Sequence, residues 1–331
     1  MYLCGYVDTS SLSRYADMFP FHQYVALANT NDSASSSGPP NVTANDVMVV
    51  VGRTNAEPGC PLSLWNNRRS AFRTWITETP AKVLLTNGES YGEFLNPTPN
   101  IYQIGYFPDH AENRTMRVRF VQWVLMQYGP DRWRRIFDPQ YKPQGNAERF
   151  LVYAASKCKV HRELAVDKLS EIGIIDQGGR CGGILHRSDR FRAVPELQEG
   201  RLAWYHNIDH FQPYRFCLVM ENTYLAGYVT EKILNAFLAG CVPIYYGSTE
   251  VFDLFHRDSF IYYNISDPQP ALDRIQYLET NRTAYDEMKE NVPILAHGED
   301  TIREYFSLTM AMGGNGTLMK RLHAFMGLPS F

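Results

Sequence analysis

The chain has 331 residues, 44% of them hydrophobic and 20% charged, with a net charge of −3. That length favours two domains over one, and the apolar fraction supplies a core for each. The mild negative charge, with no long block of like sign, excludes nucleic acid held by a broad basic surface; an anionic small molecule gripped by one or two local cations stays open.

In chain order, the N-terminus MYLCGYVDTSSLSRYADMF has neither the basic start nor the apolar stretch of a signal peptide. No run anywhere approaches the ~20 apolar residues of a membrane helix. YLCGYV (2–7), VMVVVG (47–52), KVLLTN (82–87) and IYQIGYF (101–107) read as short strands, and the turn-rich stretch 28–45 reads as a surface loop. MRVRFVQWVLMQYG (116–129) places apolar residues at helical spacing and ends on glycine, which predicts a helix. DPQYKPQGNAE (138–148) has the composition of a linker. The alternation then restarts: strand FLVYAAS (150–156), helix 162–173, strand RFCLVMEN (215–222), helix EKILNAFLAG (231–240), strands VPIYYG (242–247) and FIYYN (260–264). PALDRIQYL and EDTIREYFSLTMAM close the chain as helices.

Short apolar strands separated by helices describe doubly wound parallel sheets, so the expected fold class is α/β, with two Rossmann-like domains and a cleft between them. The boundaries fall at 1–146 and 147–331, the last helix being free to pack back on the first domain. Ligands of such sheets sit beyond the carboxyl ends of the strands. Met220–Asn222 lies at one such end. The helix after it shows an inward face of Ile233, Leu234, Phe237, Leu238 and Cys241.

Glu231 and Lys232 fall in the first turn of that helix. A helix N-terminus favours an anion, so a lysine there opposes the dipole unless a phosphate lies between them. The same lysine pointing to solvent fits the pattern equally well. Glu221 and Asn222 fit the polar end of a strand or a cap, and Tyr228 fits aromatic packing.

Cys4, Cys60, Cys158, Cys181, Cys217 and Cys241 form no C-x-x-C pair, which argues against zinc or dithiol chemistry and reads as buried or free thiols. Sequons begin at Asn31, Asn41, Asn113, Asn264, Asn281 and Asn315 and point toward a secretory lumen, although a cytosolic chain also carries sequons that are never used.

The segment YRFCLVMENTYLAGYVTEKILNAFLAGCVPIYYGS resembles the signature of family 10 glycosyltransferases, the α1,3/α1,4-fucosyltransferases. Tyr214, Phe216, Leu218, Glu221, Asn222, Thr223, Tyr228, Val229, Thr230, Glu231, Lys232, Val242, Pro243 and Gly247 all meet its spacing. FDLFHRDSFIYYNISDPQPALDRIQYL is similar to the family as well. The likeness is strongest over residues 148–310; the first half matches only around LTNGES and the I-G-Y-F that follows.

The resemblance implies a GT-B glycosyltransferase, with the acceptor on residues 1–146 and GDP-fucose on 147–331. L-fucose would move with inversion from GDP-L-fucose to a hydroxyl of a glycan acceptor, α1,3 to a GlcNAc or glucose-type sugar. No metal or other cofactor is implied, and the sequence has no D-x-D to hold one. Lys232 corresponds to a lysine on the diphosphate. Arg162 corresponds to an arginine on the same group, with Lys159 and His161 beside it; read alone, it fits a surface arginine of a helix. Glu231 corresponds to a glutamate that holds nucleoside hydroxyls, Asn222 to a donor to diphosphate or fucose, and Tyr228 to a neighbour of the sugar. Glu221 and Thr230 complete the substrate-binding set, Glu221 orienting the loop.

The base corresponds to Glu89 in VLLTNGESYGEF, ahead of Glu93, and both also fit ordinary loop acids. Trp65, Trp75 and Tyr91 are candidates for stacking on an acceptor sugar or for core packing. The alternatives are a transferase of the same fold using another GDP-sugar, and a non-catalytic glycan- or nucleotide-binding protein. The compartment expected is the cytoplasm, or the Golgi lumen for a chain trimmed of its anchor. The oligomeric state stays open.

Overall fold

The computed structural model describes residues 2–5, 25–26, 42–52, 78–87, 99–106, 114–119, 147–184, 189–194, 207–301, 304–305 and 317–330. The chain divides into two compact units, Met1–Gln127 with Ile302–Phe331, and Tyr128–Thr301. The division thus falls ahead of the 138–148 stretch expected as linker, and the C-terminal 30 or so residues group with the first unit.

The first unit is built on a six-stranded sheet, β1 Tyr2–Gly5, β2 Val25–Ala26, β3 Val47–Gly52, β4 Lys82–Asn87, β5 Ile101–Gly105 and β6 Thr115–Arg117, in the order β2-β1-β3-β4-β5-β6. All its pairings are parallel. Strand β6 corrects the helix expected from residue 116. Met116 and Val118 are buried while Arg117 between them is half-buried, a two-residue period, and Gln103 pairs with Thr115. Residues 120–129 of that expectation lie outside the described residues.

The second unit carries the other parallel sheet: β7 Arg149–Ala155, β8 Ile175–Gly179, β9 Phe191–Ala193, β10 Tyr214–Leu218, β11 Val242–Tyr245 and β12 Ile261–Tyr262. Its order is β12-β11-β10-β7-β8-β9. The chain lays down three strands in one direction, then returns to place the fourth beside the first. The β7/β10 seam is therefore the switch point, where successive connections leave in opposite directions and open a crevice at the carboxyl ends. Helices α1 Val160–Leu169, α2 Asn207–Phe211, α3 Glu231–Ala239, α4 Gln269–Thr280 and α5 Arg282–Asn291 belong to this unit. Phe216, Leu151, Ile244, Ile175, Val166 and Ile275 are among the buried residues of its core. β8 was not legible as a strand because its sequence, IDQGG, holds one large apolar residue. Pairing with β7 along five residues supplies what propensity does not.

α3 is not the one-sided helix its pattern predicts. Every residue from Ile233 to Ala239 is buried, because α2 packs against it as well as β11. It ends on Gly240 at φ 83°, the left-handed cap conformation that glycine adopts without steric cost.

The cysteine reading is corrected too. Cys158–Cys181 and Cys217–Cys241 are disulfides, with Cα–Cα distances of 5.1 and 5.9 Å. Partners 23 and 24 residues apart form no compact sequence motif, and the parallel sheet brings them together.

Candidate functional site

From Phe216 through Met220, past the end of β10, the chain is apolar and buried, and it stays tied to the β11 side: Val219 N donates to Ile244 O at 2.9 Å and Glu221 N to Tyr246 O at 2.7 Å. The polar residues after it therefore leave the sheet from a fixed point at the β7/β10 seam. Across the seam, β7 leads into α1, whose first turn carries Arg162.

Arg162 is buried, 4% exposed, and its Nη2 donates to the carbonyl of Met220 and, at 2.9 Å, to Asn222 Oδ1. Its Nε is buried with no hydrogen-bond partner, and among the described residues no carboxylate lies within 4.0 Å of the guanidinium. Burial lowers its pKa, against the fields of Tyr153 and Glu221. A buried cation spending two of five N–H groups on neutral oxygens is left open to an anion.

Glu221 is fully buried. Its carboxylate accepts the Thr230 N–H at 2.7 Å, the Thr230 hydroxyl at 2.8–2.9 Å and Lys232 Nζ at 3.0 Å. Thr230 caps α3 by position, is fully buried, and its hydroxyl accepts from Lys232 Nζ at 2.8 Å. Glu231 Oε1 lies 3.6 Å from the same ammonium. Burial opposes the Lys232 charge, but the Glu221 and Glu231 carboxylates outweigh it and hold its pKa above the ordinary lysine range. With a side chain 22% exposed and two hydrogen bonds made among the described residues, Lys232 keeps one of three N–H groups unspent there. The lysine at the α3 N-terminus is thus offset by two carboxylates.

Asn222 ties Arg162 to the next loop: its Oδ1 accepts from Arg162, and its Nδ2 faces the buried Tyr228 hydroxyl at 3.5 Å. His161 Nε2 donates to the Glu221 carbonyl at 3.0 Å, and its ring lies 4.9 Å from that of Tyr246, which in turn lies 6.2 Å from the half-exposed Tyr224. Burial lowers the His161 pKa; the bond to Glu221 opposes this, while Arg162 and Lys159 add to it. Lys159 is exposed at the α1 N-cap.

So Glu221, Asn222, Tyr228, Thr230, Glu231, Lys232, Arg162 and His161 fall into one bonded neighbourhood. Glu89, Glu93, Trp65, Trp75 and Tyr91 lie outside the described residues. Tyr246 and Tyr224 were missed as site neighbours; aromatic residues at strand ends give no signal beyond ordinary packing. Gly247 gains a reason. A Cβ there would stand 2.4 Å from the Tyr245 hydroxyl and 2.8 Å from Glu221 Cγ, so a side chain would displace the carboxylate that holds Lys232.

Both units are built on parallel six-stranded sheets, and the second has two cations at its switch point. Residues 145–290 match the model of glycosyltransferase family 10 (fucosyltransferase), C-terminal part. An alpha-(1,3)-fucosyltransferase of Helicobacter pylori is 40% identical over 82 residues, 24% of this chain and 17% of that protein. An alpha-(1,4)-fucosyltransferase of Arabidopsis thaliana is 28% identical over 124 residues, 36% and 31% of the two chains. A GDP-fucose protein O-fucosyltransferase 3 of Xenopus laevis is 29% identical over 139 residues, 41% and 29%. The matched stretch spans less than a third of each of these relatives.

A crystal structure of an alpha1,3-fucosyltransferase superposes with TM-score 0.54 at 17% identity, covering 95% of this chain and 90% of that one. Another, of an alpha1,3-fucosyltransferase with GDP, gives 0.51 at 18%, covering 98% and 88%. The fold is of that GT-B type.

Proposed function

We propose that this chain is an inverting fucosyltransferase that uses GDP-L-fucose, with the donor at the β7/β10 seam. The observation that carries the reading is the pair of cations tied to three consecutive residues, Arg162 to Met220 and Asn222, Lys232 to Glu221. The buried Arg162, with no carboxylate of its own among the described residues, supports a diphosphate as the missing anion. Its planar fork suits two phosphate oxygens, and Lys232 adds a point charge.

In the step itself, the acceptor oxygen forms a bond to C1 of fucose on the face opposite the phosphate. The C1–O bond breaks and GDP leaves with the electron pair. The acceptor proton passes to a carboxylate, for which the resemblance supplies Glu89. Arg162 and Lys232 absorb the charge that gathers on GDP, and protein cations suffice without a divalent ion. Glu231, at the α3 N-terminus, meets the ribose hydroxyls. Asn222 and Tyr228 meet diphosphate and sugar. Glu221 and Thr230, both fully buried, act by positioning Lys232.

Fucose is common to the relatives' names, whereas their acceptors differ between glycan linkages and protein, so donor chemistry is the better supported half. Two disulfides and the sequons favour an oxidising lumen over the cytoplasm. The test is incubation with GDP-L-fucose or GDP-mannose and a panel of glycan and protein acceptors, reading GDP release, product mass and anomeric configuration. Fucosylated product of inverted configuration is expected. GDP release from GDP-mannose alone, or binding without transfer to any acceptor, contradicts the proposal.

A further inference from the structure

We propose that Asn264 is an N-glycan acceptor. The sequon Asn264-Ile265-Ser266 is separated from the end of β12 by one residue, the buried Tyr263, and all three of its residues are exposed. Asn264 Oδ1 accepts the backbone N–H of Ser266 at 3.0 Å, an Asx turn, and Asp267 N donates to the Asn264 carbonyl at 3.2 Å. That turn holds the sequon's first and third residues together, as an enzyme reading both requires. Among the described residues Asn264 Nδ2 makes no hydrogen bond. The turn involves neighbours in sequence only, so it is available before the unit has folded.

The second described sequon makes the contrast. At Asn281, Oδ1 caps α5 by accepting from Ala284 N at 3.0 Å, and Nδ2 donates to the Tyr277 hydroxyl at 3.2 Å. A glycan bonded to Nδ2 there would crowd the Tyr277 hydroxyl that the same nitrogen already serves, beside a side chain held in the α5 cap. The sequons at Asn31, Asn41, Asn113 and Asn315 lie outside the described residues. At Asn264 a glycan displaces no hydrogen bond among the described residues, and its neighbour Ile265 is 41% exposed.

The co-substrate is a lipid-diphosphate-linked oligosaccharide. The Nδ2–C1 bond forms as the C1–O bond to phosphate breaks; the lipid diphosphate leaves with the electron pair, and the amide proton passes to a base of the transferring enzyme. Both disulfides are consistent with the compartment where that chemistry occurs.

The test is secretion of the full chain, behind a signal sequence, from glycosylating eukaryotic cells. Peptides are then mapped after enzymatic deglycosylation in heavy-oxygen water, which converts each glycan-bearing Asn to labelled Asp. Label is expected at position 264 and not at 281; it is lost in Asn264→Gln and in Ser266→Ala and kept in Asn281→Gln. An unlabelled 264 in secreted protein with its disulfides formed, label at 281 with 264 empty, or label surviving Ser266→Ala would each overturn the proposal. None of these outcomes depends on fucose transfer.

Discussion

Lys232 and Arg162 do different work with the same charge. Lys232 is already held by Glu221, Thr230 and Glu231, so on the proposed reading an arriving phosphate meets a preset ammonium. Losing such a preorganised group costs ~100- to 1000-fold in rate, so Lys232→Ala should lower fucose turnover at least about 100-fold in a steady-state assay. Arg162→Lys keeps the charge but loses the fork, and should weaken donor binding while leaving the folded chain intact by circular dichroism. On the proposed mechanism, which makes Glu89 the general base, Glu89→Ala should cost ~100- to 10,000-fold. His161 carries a pH signature. Its folded pKa lies below its ordinary value of 6.5, chiefly through burial, so the unfolded chain binds the proton more readily. Its contribution to stability is therefore present above about pH 6.5 and is lost as pH falls toward the depressed folded value. Urea midpoints should drop over that window in the wild type and drop less in His161→Gln.

At the scale of elements, the loop from β7 to α1 is fastened to the segment after β8 by the Cys158–Cys181 disulfide and by Glu163, which accepts from Tyr153 at 2.6 Å and from Gly183 N at 2.7 Å. Arg162 sits in that fastened turn. A cross-link closing a loop of this size is worth roughly 3 kcal/mol, so Cys158→Ser should lower unfolding free energy by about that amount, measured under non-reducing conditions. Gly247→Ala should cost ~1–3 kcal/mol by overpacking against Glu221 and Tyr245 and should weaken donor binding as well. The strands with continuous apolar runs, β3, β4, β7, β10 and β11, were legible because burial on both faces leaves a plain sequence mark. β8 and β6 were not. One is too polar to show a run, and the other was hidden because an alternating M-R-V-R pattern was read at the helical period. The site was legible where its residues are close in sequence, 221 to 232. The Arg162–Asn222 bond, the His161–Glu221 bond and both disulfides join residues at least 23 apart, which only the sheet order brings together.

At the scale of the whole molecule, the strand order β12-β11-β10-β7-β8-β9 puts its switch point where the family signature and the cations lie. Turnover should survive full chelation of divalent ions, since the proposed mechanism leaves charge neutralisation to side chains. The central claim is that Arg162 and Lys232 at this seam bind the diphosphate. Its most direct test is the melting temperature of the chain in excess chelator, with and without GDP. A ligand at 100 times its Kd stabilises by about 2.7 kcal/mol, so GDP should raise the wild-type melting temperature by several degrees. It should not raise that of an Arg162→Ala/Lys232→Ala variant that folds without ligand. An equal rise in both proteins, or a rise in the wild type only when a divalent ion is restored, would contradict the account.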